Sequence, residues 1–219
     1  MRQTTMTLIL LLFLMGCVSQ SPEIFLGDAT CALPCWYGLT PGKTTVAESQ
    51  TILKSLPFVS SASIETITLQ GVTSIRWSFT GGAIGNGILV FDKDQRIQEI
   101  RLRTTGLHLG TVIDSFGSPN SVWADYFPGE RIHYGLSLYY PHQGVVVTTD
   151  DQPNSDPSKG MERITRDLQV SLVQFYAPMS AEAFLRDIEN RSPENVNYIL
   201  NHLQPWPGFG DNVIDIESP

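Results

Sequence analysis

The sequence predicts an α+β chain made of two tandem units, each a short helix followed by an antiparallel meander, with helices added at the C-terminus. Three observations carry that expectation. A Gly-containing turn and a short amphipathic segment open residues 31–105, and the same pattern opens residues 106–178. Each opening is followed by about four strand-like runs. The last forty residues then lose the strand pattern and take up helix signals.

The first helix is marked by Thr45-Val46-Ala47-Glu48, which has capping-box spacing, and by the apolar stripe Val46, Ile52, Leu53 and Leu56. The second is marked by Leu109, Val112, Ile113 and Phe116 at i, i+3, i+4 and i+7, with Gly117 and Pro119 to stop it. The strand runs of the first unit are "SIETITL", "SIRWSF", "GILVF" and "RIQEIRL". Those of the second are "SVWADYF", "RIHYGLSLYY", "GVVVTT" and "LQVSLVQFY". Ile75, Trp77 and Phe79 alternate with Ser74, Arg76 and Ser78, the mark of a strand with one buried face. Ile132, Tyr134, Leu136, Leu138 and Tyr140 alternate in the same way with His133, Gly135, Ser137 and Tyr139. The tail from residue 179 to 219 starts a helix at Ser180 and a second at Ser192-Pro193-Glu194, a cap followed by Pro and an acid.

Ahead of these units the chain begins "MRQTTMTLILLLFLMGC". Arg2 and an apolar run of about ten residues have signal-peptide proportions, too short to span a hydrocarbon core of about 30 Å. Leu14-Met15-Gly16-Cys17 resembles the bacterial lipobox. That resemblance implies cleavage after residue 16, a diacylglycerol with palmitate-class chains on Cys17, and residues 17–30 as a lipidated tether. Two or more acyl chains anchor stably where one is marginal. The expected location is extracytoplasmic, on the cell membrane or the outer membrane; Val18 in place of Asp permits the latter.

Two cysteines remain once Cys17 is assigned to lipid. Cys31 and Cys35 sit four positions apart across Pro34, a spacing that a disulfide can bridge in an oxidising compartment. The alternatives are a thiol-disulfide site and a metal clip. The first ordinarily uses C-x-x-C at a helix start after a strand, and the second needs two further ligands.

The chain carries 14 Lys and Arg against 22 Asp and Glu, and loss of residues 1–16 with Arg2 moves the formal charge from −8 to −9. An acidic chain without a basic run argues against nucleic acid and anionic head groups as partners. His108, His133, His142 and His202 have no metalloenzyme spacing, and no metal or cofactor is expected. No nucleophile elbow or P-loop is present. Asp150, Asp151 and Asp156 share a polar loop that does not fit a calcium-loop pattern.

The segments "LTPGKTTVAESQTILKSLP" and "LHLGTVIDSFGSP", following a lipobox, resemble the BamE-like (SmpA/OmlA) lipoprotein domain. Two such units in tandem resemble the β-lactamase-inhibitor-protein arrangement. The resemblance spans residues 38–178, rests on short motifs, and assigns no functional residue. It implies a non-catalytic, lipid-anchored module that binds an envelope protein, of assembly or inhibitor type. The alternatives are an envelope thiol-disulfide protein using Cys31 and Cys35, or a hydrolase using acids of the second unit. The expected partner surface is the second unit's sheet face: Trp123, Tyr126, Phe127, His133 and Tyr139, aromatics of the kind that dominate binding hot spots. The competing expectation is that the C-terminal helices cover that face and make it core.

Overall fold

The structure is a computed structural model that describes residues 22–28, 30–80, 85–127, 133–150, 152–153 and 163–210. It corrects the expectation of two tandem helix-plus-meander repeats. The strands form one antiparallel sheet. In chain order they are β1 (Glu65–Leu69), β2 (Val72–Ser78), β3 (Asn86–Phe91), β4 (Ile97–His108), β5 (Ser121–Phe127), β6 (His133–Tyr140), β7 (Val145–Thr149), β8 (Gln152–Pro153), β9 (Gln169–Tyr176) and β10 (Gln204–Pro205). Their order across the sheet is β1-β2-β3-β4-β9-β7-β6-β5-β10, with β8 pairing β6 off that path.

The seam that joins the two halves is β4 against β9. Glu99 pairs with Tyr176, Arg101 with Gln174 and Arg103 with Leu172. A meander that ended at β4 would leave a row of backbone donors and acceptors unpaired, and β9 satisfies them. The buried side chains agree. One cluster on the inner face runs from Trp36, Ile75 and Leu89 through Ile100 and Leu102 to Leu138, Val147 and Phe175. Both halves therefore share one sheet and one inner core.

Three short elements cover this inner face. Helix α1 (Val46–Ser55) is started by the expected capping box: Thr45 Oγ1 accepts from the Glu48 N–H at 3.4 Å, and Glu48 Oε2 accepts from the Thr45 N–H at 2.8 Å. Helix α2 (Leu109–Phe116) buries Leu109, Val112 and Phe116 and ends at Gly117, whose φ of 80° suits glycine. The third is a 3-10 turn, Pro22–Leu26, with Phe25 fully buried and Leu26 nearly so. Phe25 and Leu26 thus belong to the body, although they fall inside the stretch the sequence assigns to a tether.

Among the described residues, the outer face is covered over one half only. From β9 the chain turns at Pro178 and is capped at Ser180, whose side chain accepts from the Ala183 N–H at 3.1 Å. It then forms α3 (Ala181–Ala183), which runs on into a π-turn, Phe184–Ile188. Ser192 caps α4 (Pro193–His202), with Pro193 in its first turn. Strand β10 then pairs with β5 at the sheet edge. This segment starts at the centre of the sheet and finishes at one edge. It packs Phe184, Leu185, Val196 and Ile199 onto Trp123, Tyr139, Val146 and Tyr176. Nothing among the described residues lies over the outer face of β1–β3.

Candidate functional site

Among the described residues, the outer face has a closed half and an open half. The alternation of β6 and β7 shows why the closed half is core. Leu138 and Tyr140 face the inner cluster while Tyr139 faces the outer one, and Val145 and Val147 face inward while Val146 faces outward. Trp123 is 8 % exposed and Tyr139 is 2 % exposed, both beneath the C-terminal helices. The Tyr139 ring lies 6.2 Å from that of Phe184, and the Tyr176 ring 4.5 Å from it. Trp123 and Tyr139 are therefore not an accessible partner surface, which corrects that part of the sequence reading. The physical reason is area. Large aromatics aligned on one sheet face draw an amphipathic segment over them when the chain supplies one. Phe127 pairs in register with His133 and Tyr126 with Tyr134, and the side chains of Tyr126, Phe127 and His133 lie outside the described residues.

A polar clamp marks the border between the halves. Glu99, on β4, is 2 % exposed, and its Oε2 stands 2.7 Å from Arg101 Nε. Gln174 Nε2 donates to Glu99 Oε1 at 2.7 Å and to Glu189 Oε1 at 2.9 Å. Arg101 and Arg191 reach Glu189 at 3.6 and 3.8 Å. Gln98 Nε2 donates to the Asp187 carbonyl at 3.2 Å. These contacts fasten the π-turn and its exit to the centre of the sheet. Burial pushes the Glu99 carboxyl above its ordinary range, opposed by Arg101 and Gln174. A raised carboxyl pKa is also a property of catalytic acids. Here both carboxyl oxygens are engaged by neighbouring side chains, Arg101 on one and Gln174 on the other. The arrangement is a fastening.

The open half presents Glu65 and Ile67 from β1, Arg76 from β2, Ile88 and Val90 from β3, and Arg103 from β4 on one surface, as the pairings Glu65–Arg76–Ile88 and Asn86–Arg103 require. Ile67, Ile88 and Val90 are half-buried. Arg76 and Arg103 are exposed, and neither is in an ion pair with any described residue. They line a groove of about 440 Å³ together with Ser63, Glu65, Asn86 and Ile88. Gly87 lies in the groove floor, where a Cβ would enter the Trp77 ring packed beneath. At the open end of the sheet the two-residue turn Gln70-Gly71, with φ of 51° and 82°, holds Leu69 and Val72 at 71 % and 51 % exposure.

Outside the outer face, chemistry is sparse. Cys31 and Cys35 have Cα atoms 5.6 Å apart, at the separation a disulfide uses, and are placed as a bonded pair. Cys35 is 8 % exposed. Beside it Trp36 is fully buried, donates through Nε1 to the Ile24 carbonyl at 2.9 Å, and packs on Trp77, Phe58 and Phe79. The pair thus fixes the start of the inner core. A groove of about 540 Å³ beside α1 contains Lys43 and Glu48, and Glu48 is committed to the helix cap. Among the described residues there is no group of His, Cys, Asp and Glu fit to hold a metal ion. Among them, too, no helix is long and apolar enough to cross a membrane. Cys17, Asp151 and Asp156 lie outside the described residues.

Comparison with protein-family models, with curated proteins and with solved structures finds no match. Sequence reading missed the Arg76–Arg103 surface. The alternation did place Arg76 outward, since it sits between Ile75 and Trp77. Arg103 follows Leu102 in the same way. No local pattern says that β2 and β4 flank one β3.

Proposed function

We propose that this chain is a lipid-anchored, extracytoplasmic protein that acts by binding another envelope protein, without chemistry of its own. The observation that carries the reading is the division of the outer sheet face. Among the described residues, one half is sealed by the chain's own helices, and the other is left open with half-buried Ile67, Ile88 and Val90 beside two arginines that make no ion pair. A sheet face with that mixture is what a protein partner covers. The lipobox-like stretch ending at Cys17, and the short resemblance to BamE-like lipoproteins, point the same way. A disulfide between Cys31 and Cys35 suits an oxidising compartment and belongs to this reading as a structural staple.

The test is fractionation combined with crosslinking in intact cells. Cys17→Ser should move the protein from the membrane to the soluble fraction, and wild type should carry acyl mass on its N-terminal residue. A photo-crosslinking residue on the surface should give one discrete adduct. A Cys17→Ser protein that remains membrane-bound would overturn the anchor, and the absence of any adduct from positions on both faces would overturn the binding role.

A further inference from the structure

We propose that the open half of the outer face, centred on Arg76 and Arg103, is the docking surface for an acidic extended segment of a partner protein. This rests on the binding reading above and names its site and ligand chemistry. The chain has a formal charge of −8, yet two of its cations stand on this face without an ion-pair partner among the described residues. Arg101, in the same row of the sheet as Arg76, is different: it is held by Glu99 and Glu189. Glu65 is the cross-strand neighbour of Arg76 and the one acid lining the groove, and it forms no ion pair with it among the described residues. The surplus of positive charge therefore lies on the β3–β4 side, between the two guanidinium groups.

Spacing defines the ligand. Arg76 and Arg103 are two strands apart, roughly 9–10 Å across the sheet, and one outward position apart along it. A single inorganic anion does not bridge that distance. Carboxylates four residues apart on an extended segment do: side chains on one face recur at about 6–7 Å, so every second one returns at about 13 Å, against a diagonal of about 12 Å between the two arginine positions. Ile88 is the cross-strand partner of Arg76, one outward position from Asn86, the partner of Arg103; with Val90 beside it, it is half-buried, where the apolar side chain midway between two such carboxylates would sit. Each guanidinium offers a planar fork to a carboxylate, which a lysine would not.

A membrane of anionic lipid presents the same charge, and the fold disfavours it. The 3-10 turn Pro22–Leu26 packs on the inner face, with the Phe25 ring 5.1 Å from Phe79. A lipid on Cys17 lies five residues ahead of Pro22, a reach of at most about 17 Å. The residue to which that anchor is tethered thus lies on the side opposite the arginines. An anchored molecule turns the open half away from its own bilayer and toward other proteins.

The experiment uses the exported full-length chain carrying Cys17→Ser, which leaves the described residues unchanged, and a fluorescently labelled peptide of repeating Glu-Ser-Val-Ser as the probe, which puts Glu and Val in turn on one face when extended. Anisotropy at low and moderate salt should show binding that weakens with salt. The pair of reversals Arg76→Glu and Arg103→Glu should weaken it at least about tenfold, the change worth one decade in Kd. Arg76→Lys should recover only part of the loss, and Lys93→Glu, the charge change of one such reversal placed on the exposed β3–β4 turn, should leave binding within about twofold. Thermal melts of all variants show that the fold is intact. Absent binding, or binding indifferent to the paired reversal, overturns the proposal. So does sedimentation with phosphatidylglycerol vesicles that the paired reversal abolishes, which would assign the face to lipid. In cells, a crosslinker at Ile88 should capture the partner and one at Thr51, on α1, should not. Capture from Thr51 alone overturns this face while leaving the binding role standing; silence at both removes the role itself.

Discussion

Replacing Trp123 with Ala separates a sealed outer face from an exposed one, because the two arrangements predict opposite kinds of loss. Trp123 is 8 % exposed and shares a cluster with Tyr139, Tyr176, Phe184, Leu185, Val196 and Ile199, all at 6 % exposure or less. Truncation removes the indole from between a sheet and a helical cover that cannot collapse fully, since α4 is held at one end by the Ser192 cap and at the other by β10 pairing with β5. Aromatic-to-Ala changes in such a setting cost about 3–5 kcal/mol. For a domain of this size, each kcal/mol lowers Tm by about 2–4 °C, so the expected fall is roughly 6–20 °C. A total stability of about 5–15 kcal/mol makes this a large fraction. Circular dichroism melts and urea titrations of the exported Cys17→Ser chain provide the assay. Arg76→Ala, on the open half, should change stability by no more than about 0.5 kcal/mol. A Trp123→Ala protein that melts within a degree or two of its parent would refute the sealed face, and with it the argument that binding belongs to the other half.

The remaining expectations concern the clamp, the staple and one turn. Burial holds the Glu99 carboxyl above its ordinary 4.5, so the folded chain keeps this proton more tightly than the unfolded chain. Its contribution to stability is complete below the unfolded value and is lost as pH rises through the folded one. The stability of wild type relative to Glu99→Gln should therefore decline as pH is raised from about 4.5, and a difference that stays flat or grows in paired urea titrations contradicts the assignment. Changing Cys31 and Cys35 together to Ser should cost about 2 kcal/mol, as the small loop implies, and thiol titration of the denatured, unreduced exported protein should find neither cysteine free. Gly144 has φ of 66°, and a Cβ there would run into the Tyr176 carbonyl oxygen. Gly144→Ala should cost more than the roughly 1–2 kcal/mol of left-handed backbone alone; a smaller loss in urea would show that β7 and β9 do not meet as described.

The clamp gives the covered half its boundary. Gln174 on β9 and Glu99 and Arg101 on β4 face outward at the point where the π-turn crosses, and Glu189 completes their contacts. A buried carboxylate is retained at low cost only where its oxygens are matched, and this one fixes where the chain's own cover stops. Beyond that line the sheet continues for three strands without a layer above it among the described residues.

Where the pattern is local, the sequence by itself determined the answer. The capping box at Thr45 and Glu48, the Gly117 stop, the Ser180 and Ser192 caps and the strand runs of both halves all follow from spacing within a few residues, and each has its element in the structure. The Cys31–Cys35 pairing distance was legible for the same reason, since four residues across a proline set the reach. Sheet membership was not local. Two helix-and-strand runs of similar pattern read as two units, and nothing within either run says that β4 and β9 will pair. That follows from each central strand having two hydrogen-bonding edges and one partner too few. Exposure of the outer face was equally out of reach. The alternation in "RIHYGLSLYY" says that Tyr139 and Tyr140 point to opposite sides, but not that both sides are dry. The covering helices lie forty to sixty residues further on in the chain. Their path from β9 to β5, set by where the sheet order placed those two strands, decided which half was sealed. The same order put Arg76 and Arg103 on one open surface, because β2 and β4 flank β3, a neighbourhood that exists only once the sheet has formed.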